Sequence, residues 1–214
     1  TILSDFTSNT KASIRRKYLQ LLALQIQKSA SQVHLAWANG YKDEFVKANG
    51  LDNGSSLSMV VNKMVENLEV IINKQIGNPI GKKSFDDNGM LRPTEVEALY
   101  SDESIALTLA SIEGLRAIFT ADNQGFTGLG IEGYVEFLKV NTDGMPLQNK
   151  INSQLEAFRL AVAAIPPTMQ TSVTDNTSAI DNAWKEGKKL LVLMKNDLTT
   201  NIGVQITFNS NDGD

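Results

Sequence analysis

An all-α fold, an antiparallel helical bundle with one short C-terminal strand, is what this sequence predicts. Six stretches repeat their apolar residues near the 3.6-residue period of a helix. Their connections are mostly short and marked by Gly and Pro, which favours neighbours that run up and down. Only one run, Val204–Gln205–Ile206–Thr207–Phe208, alternates with the period of two that a half-buried strand requires.

The first stretch runs from Lys11 to about Trp37, with Ile14, Tyr18, Leu21, Leu22, Ile26, Val33 and Trp37 near helical spacing and Thr10 upstream as a cap. Gly40 and Gly50 punctuate a connection that carries Tyr41 and Phe45. Ser55 or Ser56 then caps a second helix whose wide stripe, Leu57, Val60, Val61, Met64, Val65, Leu68, Ile71 and Ile72, predicts deep burial. From Gly77 to Pro93, Gly and Pro recur too often for a regular element, so this is read as the longest loop.

A third helix is expected after Ser101 or Asp102, through Ile105, Leu107, Leu109, Ile112, Leu115 and Phe119. A shorter fourth fits Ile131, Tyr134, Val135 and Leu138, and the joint before it, GFTGLG, holds Gly125, Gly128 and Gly130. Pro146 suits the first turn of a fifth helix through Leu147, Ile151, Leu155, Phe158, Val162 and Ile165, which Pro166 and Pro167 must end. The sixth begins near Thr174 or Asp175 and carries Ile180, Trp184, Leu190, Leu191, Met194 and Leu198. The polar tail from residue 209 to 214 reads as exposed. No linker stands out, so residues 1–214 are read as a single helical domain.

Composition narrows the function classes. The hydrophobic share of 42% and charged share of 21% are those of a globular chain with a core. Twenty basic against twenty-four acidic residues give a formal charge of −4 and no polycationic surface, so nucleic acid is excluded as an expected partner. No apolar run reaches the ~18–20 residues of a membrane span, so membrane association is expected only through a lipid anchor upstream. There is no Cys, hence no thiolate chemistry.

His34 is the single histidine, so no site in this chain can draw on two imidazoles, and among Val33, Leu35 and Trp37 it reads as a partly buried helix residue. The cluster Gly125, Gly128, Gly130 and Gly133 lacks the preceding strand and following Gly-Lys-Ser/Thr of a phosphate loop, and reads as a tight helix joint. Glu132 and Glu136, at i and i+4, read as a solvated face that gives a cation at most two ligands. In Pro93–Ser104 the residues Glu97, Tyr100, Ser101 and Ser104 crowd one helix start. Hydroxyls there cap orphan N–H groups, and the same segment can line a cleft, so these four are the candidate ligand-binding residues. The chain is expected to hold no catalytic set, metal site or cofactor of its own.

Three motifs carry a resemblance: IGNPIGK at Ile76–Lys82, PTEVEALYSDES at Pro93–Ser104 in the pattern P-x-x-V-E-x-x-Y-S-x-x-S, and IGVQITFNSNDGD at Ile202–Asp214. Together with the aromatic opening at Tyr18, Trp37, Tyr41 and Phe45, they resemble the C-terminal half of the imelysin-like family, of the Bacteroidetes type. That family comprises bacterial envelope proteins once described as metallopeptidases and associated with iron uptake. The resemblance implies an all-helical fold of two bundle-like halves with a site at their junction, in a periplasmic or surface protein, usually a lipoprotein. It implies the N-terminal half of the same protein and iron-uptake components as partners, and a metal, iron or another divalent ion, only in the complete protein. The family's G-x-H-x-x-E signature is absent from these 214 residues. The expectation is therefore a fragment that binds ligand or acts as a scaffold, the alternative being half of a metal-dependent peptidase.

Overall fold

The computed structural model describes residues 2–82, 89–123 and 125–207, and they form two compact units, Thr1–Asn49 and Gly50–Asp214. The sequence gives no strong linker signal between them, because the break at Gly50 falls inside a connection that looks no different from the others.

In the first unit, α1 (Ile2–Thr7) folds back on the long α2 (Ala12–Ala36). Arg15 binds the Asp5 carboxylate at 2.7 Å and the Asp5 carbonyl at 3.2 Å. The expected Thr10 cap is not made; Asn9 Oδ1 instead accepts from the Lys11 N–H at 3.0 Å. At Asn39–Gly40 the helix breaks, with Gly40 at φ 124°, a value that favours glycine, and α3 (Lys42–Lys47) follows. Trp37, Tyr41 and Phe45 gather across this kink, with Trp37 and Tyr41 edge to face at 4.9 Å between ring centres. The apolar stripe of α2 is where sequence and structure part: Ile14 is 67% exposed, and Tyr18, Leu21, Leu22, Ile26 and Val33 are exposed as well. His34 is exposed too, contrary to the partly buried position expected of it.

The second unit is a bundle of α4 (Ser56–Val70), α5 (Ser104–Thr120), α6 (Gly130–Phe137), α7 (Leu147–Ala163), α8 (Met169–Asp175) and α9 (Thr177–Val192), with a terminal turn, α10 (Thr199–Ile202). Ser55 caps α4 by accepting from the Ser58 N–H at 3.2 Å. The helix then widens into a π-type turn over Ile71–Gly77, and α9 does the same over Leu193–Leu198. Val61, Met64, Val65, Leu68, Ile71 and Ile72 face Ile112, Leu115 and Phe119 of α5, Ile151, Leu155 and Phe158 of α7, and Ile180, Leu190 and Met194, in one buried cluster. Glu69, 2% exposed, is the buried charge of this core, and Lys195 on the widened turn of α9 reaches its Oε1 at 2.8 Å. The pair joins elements 126 residues apart, and a lone carboxylate there would be strongly destabilising.

In the core, α9 comes very close to its neighbours. A Cβ on Gly187 would lie 2.8 Å from Ile72 Cγ1 and 3.0 Å from Phe158 Cε2, so only hydrogen lets the π-type turn and α7 come this near. Several short elements escaped the sequence pattern. The seven-residue α8 follows Pro166–Pro167 at once, with the Thr168 hydroxyl accepting from the Thr171 N–H at 3.4 Å, and the start expected for the sixth helix, near Thr174 or Asp175, is the end of α8, with α9 beginning at Thr177. Two hairpins of two-residue strands, β1 (Asp122–Asn123) with β2 (Phe126–Thr127) and β3 (Asn141–Thr142) with β4 (Met145–Pro146), also appear. Pro146 therefore ends a strand and precedes the first turn of α7.

The expected strand at Val204–Phe208 is not formed over Val204–Thr207, and Phe208 and the polar tail lie outside the described residues. A side chain takes the place of a partner strand. Asn62 Nδ2 donates to the Gln205 carbonyl at 3.1 Å while its Oδ1 accepts from the Thr207 N–H at 2.8 Å. One amide thus satisfies the donor and acceptor that a ladder would have satisfied.

Gly187→Ala is expected to lower stability by about 1–3 kcal/mol, because overpacking against Ile72 and Phe158 outweighs the ~1 kcal/mol gain in helix propensity. Phe158→Ala, which leaves a cavity beside the same glycine, is expected to cost about 3–5 kcal/mol. Urea denaturation followed by circular dichroism measures both, and a Gly187→Ala protein at least as stable as the parent contradicts the close approach.

Candidate functional site

The two internal motifs meet at one hydrogen bond. After the short 3₁₀ turn Asn78–Ile80, Gly81 adopts φ 71° and lies so close to the returning chain that a Cβ would be 2.6 Å from Gly89 C and Met90 N. The Arg92 N–H then donates to the Pro79 carbonyl at 2.7 Å, which fastens the start of Pro93–Ser104 to the Ile76–Lys82 loop. A second 3₁₀ turn, Pro93–Glu95, packs on α8.

Beyond it the chain turns rather than entering a helix. The N–H groups of Ser101 and Asp102 both donate to the Ala98 carbonyl, at 3.2 and 3.0 Å, and Asp102 takes a left-handed φ of 58°. The helix begins at Ser104, and neither Ser101 nor Asp102 caps it. Ser104 is buried and its Oγ accepts from the Ala98 N–H at 3.1 Å, so its hydroxyl closes the turn from inside. Glu97 and Ser101 are exposed, and Tyr100 is 91% exposed. Of the four candidates, three face solvent along one turn, while Ser104 holds that turn in shape.

The other motif supplies a shallow cleft that the sequence did not reveal. Ile80, Lys82, Leu91, Thr177, Ser178 and Asp181 line it. Asp181 takes an ion pair from Lys185 at 2.6 Å and from Lys82 at 3.4 Å. The hydrogen bond from Lys185, aided by Lys82, holds its carboxyl below the usual carboxylate range against the opposing effect of partial burial. Lys82 and Lys188 flank the Trp184 ring at 5.0 and 5.5 Å from its centre. Trp184 lies over Gly77, whose Cβ would come within 3.2 Å of Nε1. That N–H is buried and unpaired among the described residues. Trp184 is thus a half-buried ring clamped by cations, where its apolar spacing in the sequence suggested plain core. One turn on, Lys189 and Gln154 donate to the Glu186 carboxylate at 2.7 Å each, which lowers its pKa as well.

Glu132 and Glu136 lie on α6, where Glu132 Oε1 accepts from Asn152 Nδ2 at 2.5 Å. Among the described residues no group of three or more His, Cys, Asp or Glu is placed to hold a metal ion. No helix among them is long and apolar enough to cross a membrane.

Because the carboxyls of Asp181 and Glu186 are held below their ordinary values, both stabilise the fold above the usual carboxylate range, and that stability is lost as pH falls through their lowered values. Asp181→Asn with Glu186→Gln is expected to lower stability at neutral pH and to flatten the acid limb of the stability curve, so that variant and parent converge at low pH. Thermal melts across the acid range check this, and an unchanged acid limb refutes it.

A family model described as Imelysin matches residues 3–202. Among solved structures, the crystal structure of an imelysin peptidase from Bacteroides ovatus shares the fold, with a TM-score of 0.70 and 20% identity. The match covers 92% of this chain and 55% of that one, so the present sequence spans about half the length of that protein. Comparison with curated proteins finds no match. With all but a few terminal residues inside the family match and the fold shared as well, the chain belongs to the imelysin family.

Proposed function

We propose that this chain is the ligand-binding or scaffolding half of an imelysin-type protein of the bacterial envelope that serves iron acquisition, without catalysis of its own. The observation that carries this reading is the uncovered apolar face of α2. Ile14, Tyr18, Leu21, Leu22, Ile26 and Val33 are regularly spaced and exposed, and contiguous apolar surface of this kind marks a partner. The match spans only 55% of the chain in the crystal structure, which supports as that partner the N-terminal half of the same protein. On this reading α2 is an internal seam, and Glu97, Tyr100 and Ser101 border a junctional cleft that Ser104 shapes. Attachment to the membrane is through a lipid on the parent protein, and iron-uptake components are the wider partners.

A second reading is favoured by one observation, that the protein of shared fold is an imelysin peptidase. In it the other half brings the His and Glu of a metal site, and this half lends Glu97, Tyr100 and Ser101 to the substrate cleft. A catalytic transition-metal site draws on about three protein ligands, commonly His or Cys, and this chain has one His and no Cys.

The two readings separate on the purified chain, alone and together with the N-terminal half. Alone, it is expected to bind no divalent transition metal tightly and to hydrolyse no peptide. The N-terminal half is expected to bind it, with affinity reduced at least about tenfold by Leu22→Asp with Ile26→Asp, a loss of ~1.4 kcal/mol. Metal analysis, titration calorimetry and a peptide-hydrolysis assay on the recombined halves decide between scaffold and peptidase. Tight stoichiometric metal on this chain alone, lost in His34→Ala, overturns both.

A further inference from the structure

We propose that the groove between α5 and α6 is a docking site for a basic partner segment that presents an apolar side chain between flanking Lys or Arg residues. The groove has a volume of about 890 Å³ and is lined by no residue of the Pro93–Ser104 turn. Gly130 creates it. At φ 56° it stands where a Cβ would meet the Phe119 carbonyl oxygen at 2.5 Å and Thr120 C at 2.6 Å, so α6 starts directly against the end of α5 and diverges from it.

Gly114 is the informative residue on its floor. Glycine inside a helix costs roughly 1 kcal/mol relative to alanine unless close contact requires it. Gly187 and Gly130 have that requirement, in Ile72 and Phe158 for the first and the end of α5 for the second. Gly114 has none: nothing lies within 4 Å of where its Cβ would be, and it opens onto the groove. Its bare backbone gains nothing from the folded chain, and a partner packed against it supplies the missing reason. Across the groove Gly133 is nearly as bare, meeting only Leu129 of its own turn at 3.3 Å.

The walls define the partner. Leu129, 86% exposed, and Ile118 provide apolar surface. Four carboxylates, Glu113, Asp122, Glu132 and Glu136, line the groove against one guanidinium, Arg116, which Glu113 already binds at 2.6 Å. Glu113 also faces Arg159 at 4.0 Å, and Glu132 is held by Asn152, which leaves Asp122 and Glu136 as the acids placed to meet an incoming cation. An apolar strip between uncompensated acids repels an acidic segment and steers a basic one into register.

The test uses fluorescence anisotropy with a labelled peptide of alternating lysine and leucine, and its glutamate–leucine counterpart, on the 214-residue chain. The basic probe is expected to bind and the acidic one not. Gly114→Leu, which fills the floor from a helical position with free space above it, is expected to weaken binding at least about tenfold while holding or raising the melting temperature. Asp122→Asn with Glu136→Gln is expected to weaken it comparably and to reduce its salt dependence. No binding of the basic probe, equal binding of both probes, or affinity unchanged in the two variants overturns the proposal. Affinity lost only in Leu22→Asp with Ile26→Asp assigns the probe to α2 and overturns it equally.

Discussion

The second unit depends on a contact that a single methyl group would forbid. At Gly187, α9 has no side chain, and Ile72 from the widened end of α4 and the Phe158 ring from α7 close over the bare backbone. Three helices thereby share one layer of buried side chains, at the density that makes a core sensitive to a methylene. The π-type turn at Ile71–Gly77 belongs to the same arrangement. Its extra residue per turn brings Ile71, Ile72 and Ile76 inward together, and Gly77 then receives the edge of Trp184. From that point the chain is committed to Gly81, the Arg92–Pro79 hydrogen bond and the turn that displays Glu97, Tyr100 and Ser101. The exposed candidate residues are therefore held by a chain of close approaches that begins in the core.

Charge has a different part in each region. In the Glu69–Lys195 pair the carboxylate is buried and the ammonium partly so, and it ties α4 to the widened end of α9, so its value lies in alignment as much as in energy. Around Trp184 the charges are at the rim, and Lys82, Lys185 and Lys188 with Asp181 form a surface network that fixes the ring's neighbours. Along α5 and α6 the acids are only partly matched, and there an unsatisfied field faces solvent.

The legible parts of the fold were those with enough turns to show a period. The stripes of α4, α5 and α7 named Val61, Met64, Leu68, Ile112, Leu115, Phe119, Ile151, Leu155 and Phe158, all of them buried, and of the two serines offered as the cap of α4 it is Ser55 that makes it. The six residues of α1 and seven of α8 hold fewer than two turns, too few for any period to emerge. The alternation at Val204–Thr207 was real, but it was answered by the Asn62 amide instead of a strand, and no local pattern encodes a partner 143 residues away. On α2 the period was right and the burial was not, because amphipathicity declares that a helix has a partner face without saying what covers it. At the candidate turn, composition located Glu97, Tyr100, Ser101 and Ser104, yet which hydroxyl turns inward depends on the left-handed Asp102, which the sequence does not announce. The convergence of Trp184, Lys82 and Asp181 went unseen because it joins two segments about a hundred residues apart.

The Asn62 amide has a mechanical meaning. Gln205 and Thr207 hang from one side chain on α4 by a donor at 3.1 Å and an acceptor at 2.8 Å, with Thr207 Oγ1 adding a third bond at 3.1 Å. Tension on Thr207 is met first by that one residue, a single rivet with no ladder of rungs to share the load. Behind it stand Ile206 and Val204, packed on the core, and the Val204 N–H bonded to the Thr199 carbonyl at 3.0 Å, so that the segment peels from its free side inward.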